Sequence, residues 1–199
     1  MQKNETIKYY EADSSPYGVS YGQWTVRWWC WFLSIEIRKS ENFVFEKQAT
    51  SEVMFLAGKV GDEDKSIPNR SCIVPSSSAI LFPVINCEVN SLERPALTNE
   101  DDLIRYVGAE ENTIILKECI VDGTPIPAQR VISDPKIFDV ELNEYNAYGV
   151  RGGGKTVAAG DGYWVFLKPL SKGVHRITFR GSCEYGRLNS GADYKIKVV

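Results

Sequence analysis

The stretch SYGQWTVRWWCWFLSI, residues 20–35, holds four of the five tryptophans of this 199-residue chain. On a helical wheel, at about 100° per residue, one apolar arc contains Tyr21, Trp24, Trp28, Trp31, Phe32 and Ile35. The only polar stripe is narrow and consists of Gln23, Arg27, Cys30 and Ser34. Because a helix that is apolar around most of its circumference is normally buried, this stretch predicts a core helix rather than an exposed aromatic platform.

The start of this helix has its own signals. Ser20 and Gln23 fit a capping box, and Val19 and Trp24 occupy the positions of a hydrophobic staple. A strand is the competing interpretation, since Thr, Val, Trp, Phe and Ile also favour β-structure. A membrane span needs about 20 apolar residues, whereas this run is shorter and carries Arg27 in its middle.

The rest of the chain is typical of strands. Apolar or alternating runs predict strands over residues 53–57, 79–85, 113–121, 130–132, 137–142, 163–167, 174–180 and 194–198. Pro83 indicates an edge or a bulge, and Asp122-Gly123 indicates a tight turn. The segment 170–173 predicts a hairpin between the two strands that flank it.

One further short helix is predicted over residues 99–107, with Thr98 as its cap and Gly108 just past its end. No repeat or linker divides the chain, so residues 1–199 are expected to form a single domain. The fold class predicted is mainly β: an antiparallel β-sandwich or barrel with a buried Trp-rich N-terminal helix and one further short helix.

Composition excludes several classes of function. The chain is 43% hydrophobic and 25% charged, as expected for a soluble globular protein. A net charge of -3 and the lack of a Lys/Arg block argue against nucleic-acid binding. The N-terminal sequence MQKNETIKYYEADSSPYG lacks the apolar segment of a signal peptide, so export is expected only if the chain begins after a removed signal.

A nucleotide site is suggested by residues 149–156, GVRGGGKT, which match the P-loop pattern letter for letter. A P-loop needs a helix after the lysine, because the amides at that helix's start hold the phosphates. Here Gly160 and Gly162 follow within two turns, and then an aromatic strand. We therefore predict a glycine-rich loop and no bound nucleotide.

The sequence gives little support for a metal site or for a catalytic nucleophile. The five cysteines include no CxxC pair, and the spacing leaves disulfides such as Cys72–Cys87 and free thiols equally open. The single histidine, His175, alternates with Ile177 and Phe179, which indicates a packed strand position rather than a catalytic one. No metal and no cofactor are predicted.

Several segments resemble a family of small proteins of unassigned activity, often with export signals. The resemblance rests on the Trp-rich segment, on residues 55–58 (FLAG), on residues 72–86 and on the segment DGYWVFLKPL of residues 161–170. This chain departs from the family at Cys30, where a polar residue is usual, and at residues 152–154. The resemblance implies no catalytic residue.

For function, the sequence leaves three classes open: a non-enzymatic β-sandwich module that binds a glycan or another polar ligand, a hydrolase using dispersed carboxylates, and a structural or assembly protein. A ligand site is expected on the long connection of residues 146–163, since long connections are often functional. Its candidate residues are Tyr148, Arg151, Lys155 and Asp161, which offer an aromatic face, two cations and a carboxylate.

Overall fold

The computed structural model describes residues 7–36, 52–59, 61 and 63–199, so the first six residues of the N-terminal segment lie outside it. The helices are α1 (Tyr21–Ser34) and α2 (Glu100–Glu111). The strands are β1 (Val53–Phe55), β2 (Asn69–Val74), β3 (Ala79–Asn90), β4 (Ile114–Val121), β5 (Thr124–Pro125), β6 (Gln129–Arg130), β7 (Ile137–Leu142), β8 (Gly154–Leu167), β9 (Gly173–Cys183) and β10 (Asn189–Val198).

The strands form two stacked sheets, which confirms the mainly β, sandwich-like fold. Sheet A has the order β1-β3-β8-β6, with β7 also paired to β8, and sheet B has the order β2-β10-β9-β4-β5. Most pairs are antiparallel, as predicted. At one edge of each sheet, however, the pairing is parallel, between β1 and β3 and between β2 and β10.

Helix α1 confirms the prediction from the Trp-rich stretch. Ser20 accepts the amide of Gln23, whose side chain accepts the amide of Ser20 in return, so the capping box is complete. Trp24, Trp28 and Trp31 are buried, and the exposed positions fall on the predicted polar stripe. The indole nitrogen of Trp28 donates to the carbonyl of Leu56 at 2.8 Å, which ties the helix to the chain after β1.

Strands β3 and β8 form the centre of the molecule because both of their faces are covered. Helix α1 covers one face, where its tryptophans meet Leu81 and Trp164. Sheet B covers the first half of the other face through Phe82 and Val165. Helix α2 covers the second half of that face by packing on Ala159.

The predicted hairpin at residues 170–173 is wrong. The strands on either side are β8 and β9, which belong to different sheets, so the connection crosses between the layers of the sandwich. Leu170 is buried in the core between the sheets. A short turn between two amphipathic strands looks the same in sequence whether the strands pair or stack.

Helix α2 begins and ends later than predicted. Its cap is Asn99, whose side chain accepts the amide of Asp102 at 3.0 Å, and not Thr98. The helix continues through Gly108 to Glu111, because Leu103, Val107 and Glu111 extend one buried face at helical spacing. Packing on the sheet therefore overrides the helix-ending tendency of glycine.

The long connection predicted over residues 146–163 is also wrong. Strand β8 starts at Gly154 and pairs with β7 from there, so the connection covers residues 143–153 only. The P-loop pattern thus ends in a strand, without the helix that phosphate binding by this motif requires. Among the described helices, neither is long and apolar enough to cross a membrane.

We predict that replacing Trp24 with alanine lowers the free energy of unfolding by about 3–5 kcal/mol, the usual cost of deleting a large buried aromatic side chain. Trp24 is fully buried and its indole nitrogen donates to the carbonyl of Pro16 at 2.9 Å. Chemical denaturation checks this value. The exposed Ile115 is the control, since Ile115→Ala should change stability by no more than about 0.5 kcal/mol. Equal stability of both variants would contradict the core role of α1.

Candidate functional site

Among the residues that the structure describes, the outer edge of β3 is covered over only part of its length. Strand β1 pairs with β3 at three positions, Ala79–Leu81, whereas β8 follows β3 to its end. From Pro83 onward, the described residues include no strand on the outer edge. The register of β3 against β8 shifts between Pro83 and Ile85, as the bulge prediction for this proline anticipated.

The backbone of β3 faces this open edge at two positions. Gly162 and Gly160 of β8 accept amides from Val131 and Ser133 on the far side, at 2.8 and 3.0 Å. Their partners on β3 are Asn86 and Glu88. Since antiparallel strands bond at alternate residues, the amides and carbonyls of Asn86 and Glu88 are directed away from β8, towards the open edge.

A cavity of about 320 Å³, called the edge cavity, lies beside this edge. Its wall combines aromatic rings from both helices with polar side chains of β3 and of the turn after it. The wall includes Trp29, Glu88, Glu93, Arg94, Tyr106 and Tyr148. Asn86, Lys59 and Ser190 also line it.

Glu88 is the most unusual group in this wall because its side chain is only 5% exposed. One carboxyl oxygen accepts the side-chain amide of Asn90 at 3.2 Å. The phenol of Tyr148 is a further hydrogen-bonding neighbour of the carboxyl group, but Oε2 has no hydrogen bond of normal geometry among the described residues. Burial raises the pKa of the Glu88 carboxyl to about 8, and the nearby Glu93 adds to the rise. At neutral pH the group is therefore largely uncharged and can donate a hydrogen bond.

Further polar groups without partners lie around Glu88. Among the described residues, nothing accepts from the indole nitrogens of Trp29 and Trp164 or from the side-chain amide of Asn86. A Cβ on Gly160 would lie 2.8 Å from the Trp29 nitrogen, and a Cβ on Gly162 would lie 2.8 Å from the Trp164 nitrogen. Because these two glycines have no Cβ atom, the indole N–H groups can lie close to the sheet, next to the β3 residues Asn86 and Glu88.

Two tyrosines line the cavity. Tyr106 of α2 stacks against Arg94, whose guanidinium carbon lies 4.8 Å from the ring centre. Tyr148 is placed by Asn146, whose side chain accepts the amides of Tyr148 and Val150 at 3.0 and 3.2 Å. Burial raises the pKa of the Tyr148 phenol well above its ordinary value, and the neighbouring Glu88 adds to the rise.

The four predicted site residues are not brought together. Tyr148 lines the edge cavity, and Arg151 is exposed on the connection before β8. Lys155 lines a separate concavity beside Cys30. Asp161 lies on the opposite face of the sheet, where it is buried and bonded to Arg130 at 2.7 Å.

Sequence reasoning missed the polar residues of β3. Asn86, Glu88 and Asn90 alternate within an otherwise apolar run, and this pattern would have indicated a polar strip on a buried face. It was missed because the apolar residues 79–85 dominated the interpretation of the strand.

Two other expectations concern metals and cysteines. Within the described residues, no group of three or more His, Cys, Asp or Glu side chains could hold a metal ion. All five cysteines are free thiols, and Cys72 and Cys87 lie in different sheets. His175 bonds to Asp122 at 2.6 Å and to the carbonyl of Ser171 at 2.8 Å, which holds the β4–β5 turn against β9.

We predict that Glu88→Gln makes the protein less sensitive to alkaline pH. The pKa of Glu88 rises from its ordinary value of 4.5 to about 8 on folding, so the folded chain holds a proton that the unfolded chain releases. The contribution of Glu88 to the free energy of unfolding is therefore fully present below about pH 4.5 and is lost as the pH rises through about 8. Thermal melts at pH 5 and pH 9 should show a smaller loss for Glu88→Gln than for the parent. The exposed Glu118→Gln is the control and should follow the parent; an identical loss in all three proteins would contradict the prediction.

Comparison of the chain with protein-family models, curated proteins and solved structures finds no match. The geometry of the edge cavity is therefore the basis for inferring its function.

Proposed function

We propose that the protein is a non-enzymatic binding module for a small, oxygen-rich ligand of the sugar type, held in the edge cavity. The observation that carries this proposal is the buried Glu88 carboxyl in the cavity wall, one oxygen of which has no hydrogen bond of normal geometry among the described residues. A buried ionisable group in a concave site is a general mark of a functional position.

The polar groups around the cavity are mostly donors. They include the neutral carboxyl of Glu88, the side-chain amide of Asn86 and the indole N–H of Trp29. The edge-facing backbone amides of Asn86 and Glu88 add two more donors. A buried donor without a partner costs about 1–3 kcal/mol, so a ligand that supplies oxygen acceptors would recover this free energy once the side chains turn towards it.

The remaining wall suits the carbon face of a sugar ring. Tyr106 and Tyr148 are both half-buried and border the same cavity, so part of each side chain stays open to a ligand. The volume of about 320 Å³ lies at the lower end of ligand cavities, which span roughly 300–1,000 Å³, and this favours one small ring over a long chain.

A hydrolase is the second candidate, because Glu88 and Glu93 line the same cavity. Burial raises the pKa of both carboxyl groups, and a neutral Glu88 would meet the requirement for a general acid. A glycosidase needs its second carboxylate ionised, however, and burial raises the pKa of Glu93 as well as that of Glu88. This is why binding without turnover is the first proposal.

We predict that Tyr148→Ala weakens sugar binding about tenfold, equivalent to about 1.4 kcal/mol, because the aromatic side of the cavity is lost. Isothermal titration calorimetry against a panel of monosaccharides and disaccharides measures the change. Tyr145→Ala is the matched control: Tyr145 lies three residues earlier in the same connection, does not line the cavity and is 47% exposed. Equal effects of both substitutions, or no heat from any sugar with the parent protein, would contradict the proposal.

Glu88→Gln separates the two candidate functions. The amide keeps a donor at the same place, so a binding module should retain its affinity within a few-fold. A hydrolase would lose turnover of an aryl glycoside by about 100-fold or more, the usual contribution of a general acid. Turnover by the parent protein that disappears in Glu88→Gln would establish the hydrolase in place of the binding module.

A further inference from the structure

We infer that the ligand of the edge cavity carries a carboxylate group, which binds the guanidinium of Arg94 in the cavity wall. This inference rests on the proposed function and names the class of sugar: a sugar acid rather than a neutral sugar.

The position of Arg94 is fixed by a buried residue. Asn90, the last residue of β3, is fully buried, and its side-chain oxygen accepts the amides of Leu92 and Glu93 at 3.1 and 2.9 Å. Its backbone carbonyl accepts the amide of Arg94 at 3.0 Å. The turn that carries Arg94 is therefore anchored at the end of the strand that forms the cavity wall.

Among the described residues, no group accepts a hydrogen bond from the guanidinium of Arg94. It lies over the ring of Tyr106, and both side chains line the cavity. No carboxylate lies within ion-pair distance of it among the described residues, whereas Arg105, Arg130 and Arg176 each pair with an aspartate. A planar guanidinium supported by an aromatic ring is preorganised for a bidentate contact with a carboxylate.

The charges around the cavity also favour an acid. Lys59 lines the cavity as a second cation, and its ammonium group also pairs with Asp64 at 3.8 Å, so Arg94 is the principal candidate for binding an anion. The two acidic residues of the wall, Glu88 and Glu93, both have raised pKa values because they are buried, so they oppose an anion less than ordinary carboxylates would. A cationic ligand would instead be repelled by both Arg94 and Lys59.

The test uses sugars that differ only in the oxidation of one carbon. Glucose is compared with glucuronate, and galactose with galacturonate, by calorimetric titration of the full chain. We expect the uronate of at least one pair to bind about tenfold or more tightly than its neutral counterpart. Arg94→Gln should abolish this advantage, so that each uronate binds no more tightly than its neutral counterpart.

Arg27→Gln is the matched control. Arg27 also lies over an aromatic ring, with its guanidinium carbon 4.5 Å from the centre of the Trp24 ring, but it is exposed on α1 and does not line the cavity. This variant should keep the preference for the uronate. Loss of the preference in Arg27→Gln as well would mean that overall surface charge causes it, and would overturn the inference.

The remaining outcomes separate the inference from the proposed function. Neutral and acidic sugars that bind equally well, or a uronate preference that survives Arg94→Gln, would overturn the role of Arg94 and leave the sugar site intact. Absence of binding by every sugar tested would overturn the proposed function, and the inference with it.

Discussion

The close approach of two indole rings to strand β8 is the constraint on which the rest of the molecule depends. The nitrogens of Trp29 and Trp164 occupy positions 2.8 Å from where Gly160 and Gly162 would carry their Cβ atoms. Any other residue at these glycines would push an indole ring off the sheet. Helix α1 would then lose its contact with Trp164, whose ring lies 5.3 Å from Trp28 and 6.4 Å from Trp29.

The same constraint creates the edge cavity. Gly162 and Gly160 pair with Asn86 and Glu88, so the positions opposite the glycines on β3 are the polar ones. Strand β1 stops pairing at Leu81, and the chain after it turns to sheet B, where the amide of Lys59 donates to Gly191 at 3.0 Å. Within the described part of the chain, the polar part of β3 is therefore left with a helix on one side, no strand on its outer edge and space between them. The apolar contacts of α1 offset the cost of these unpartnered groups, which is about 1–3 kcal/mol for each.

How much the sequence predicts depends on whether a signal is local. Helix α1 was predicted correctly because both its capping box and its apolar circumference are encoded within 16 residues. Strand β7 was predicted at its observed bounds because it alternates strictly. The full length of β8 was missed because a glycine normally indicates that a strand ends there. Here Gly160 and Gly162 instead make room for indole rings, one of which comes from α1, some 130 positions earlier in the chain. The candidate site was missed, apart from Tyr148, for the same reason: its residues come from six separate parts of the chain.

Burial of a carboxyl group does not by itself mark a binding site, as a second glutamate shows. Glu111 is 1% exposed, both of its oxygens lack partners among the described residues, and burial together with the nearby Asp161 raises its pKa to about 9. Glu111 ends α2 beside the pair formed by Arg130 and Asp161, and it does not line the edge cavity. Arg130 also bonds to Asn112 at 2.7 Å, so this cluster closes the C-terminal end of α2 against β8. Glu88 differs because it combines the same burial with a cavity, an open strand edge and aromatic neighbours. The combination of these features, and not the unusual carboxyl alone, is the reason for placing the proposed ligand in the edge cavity.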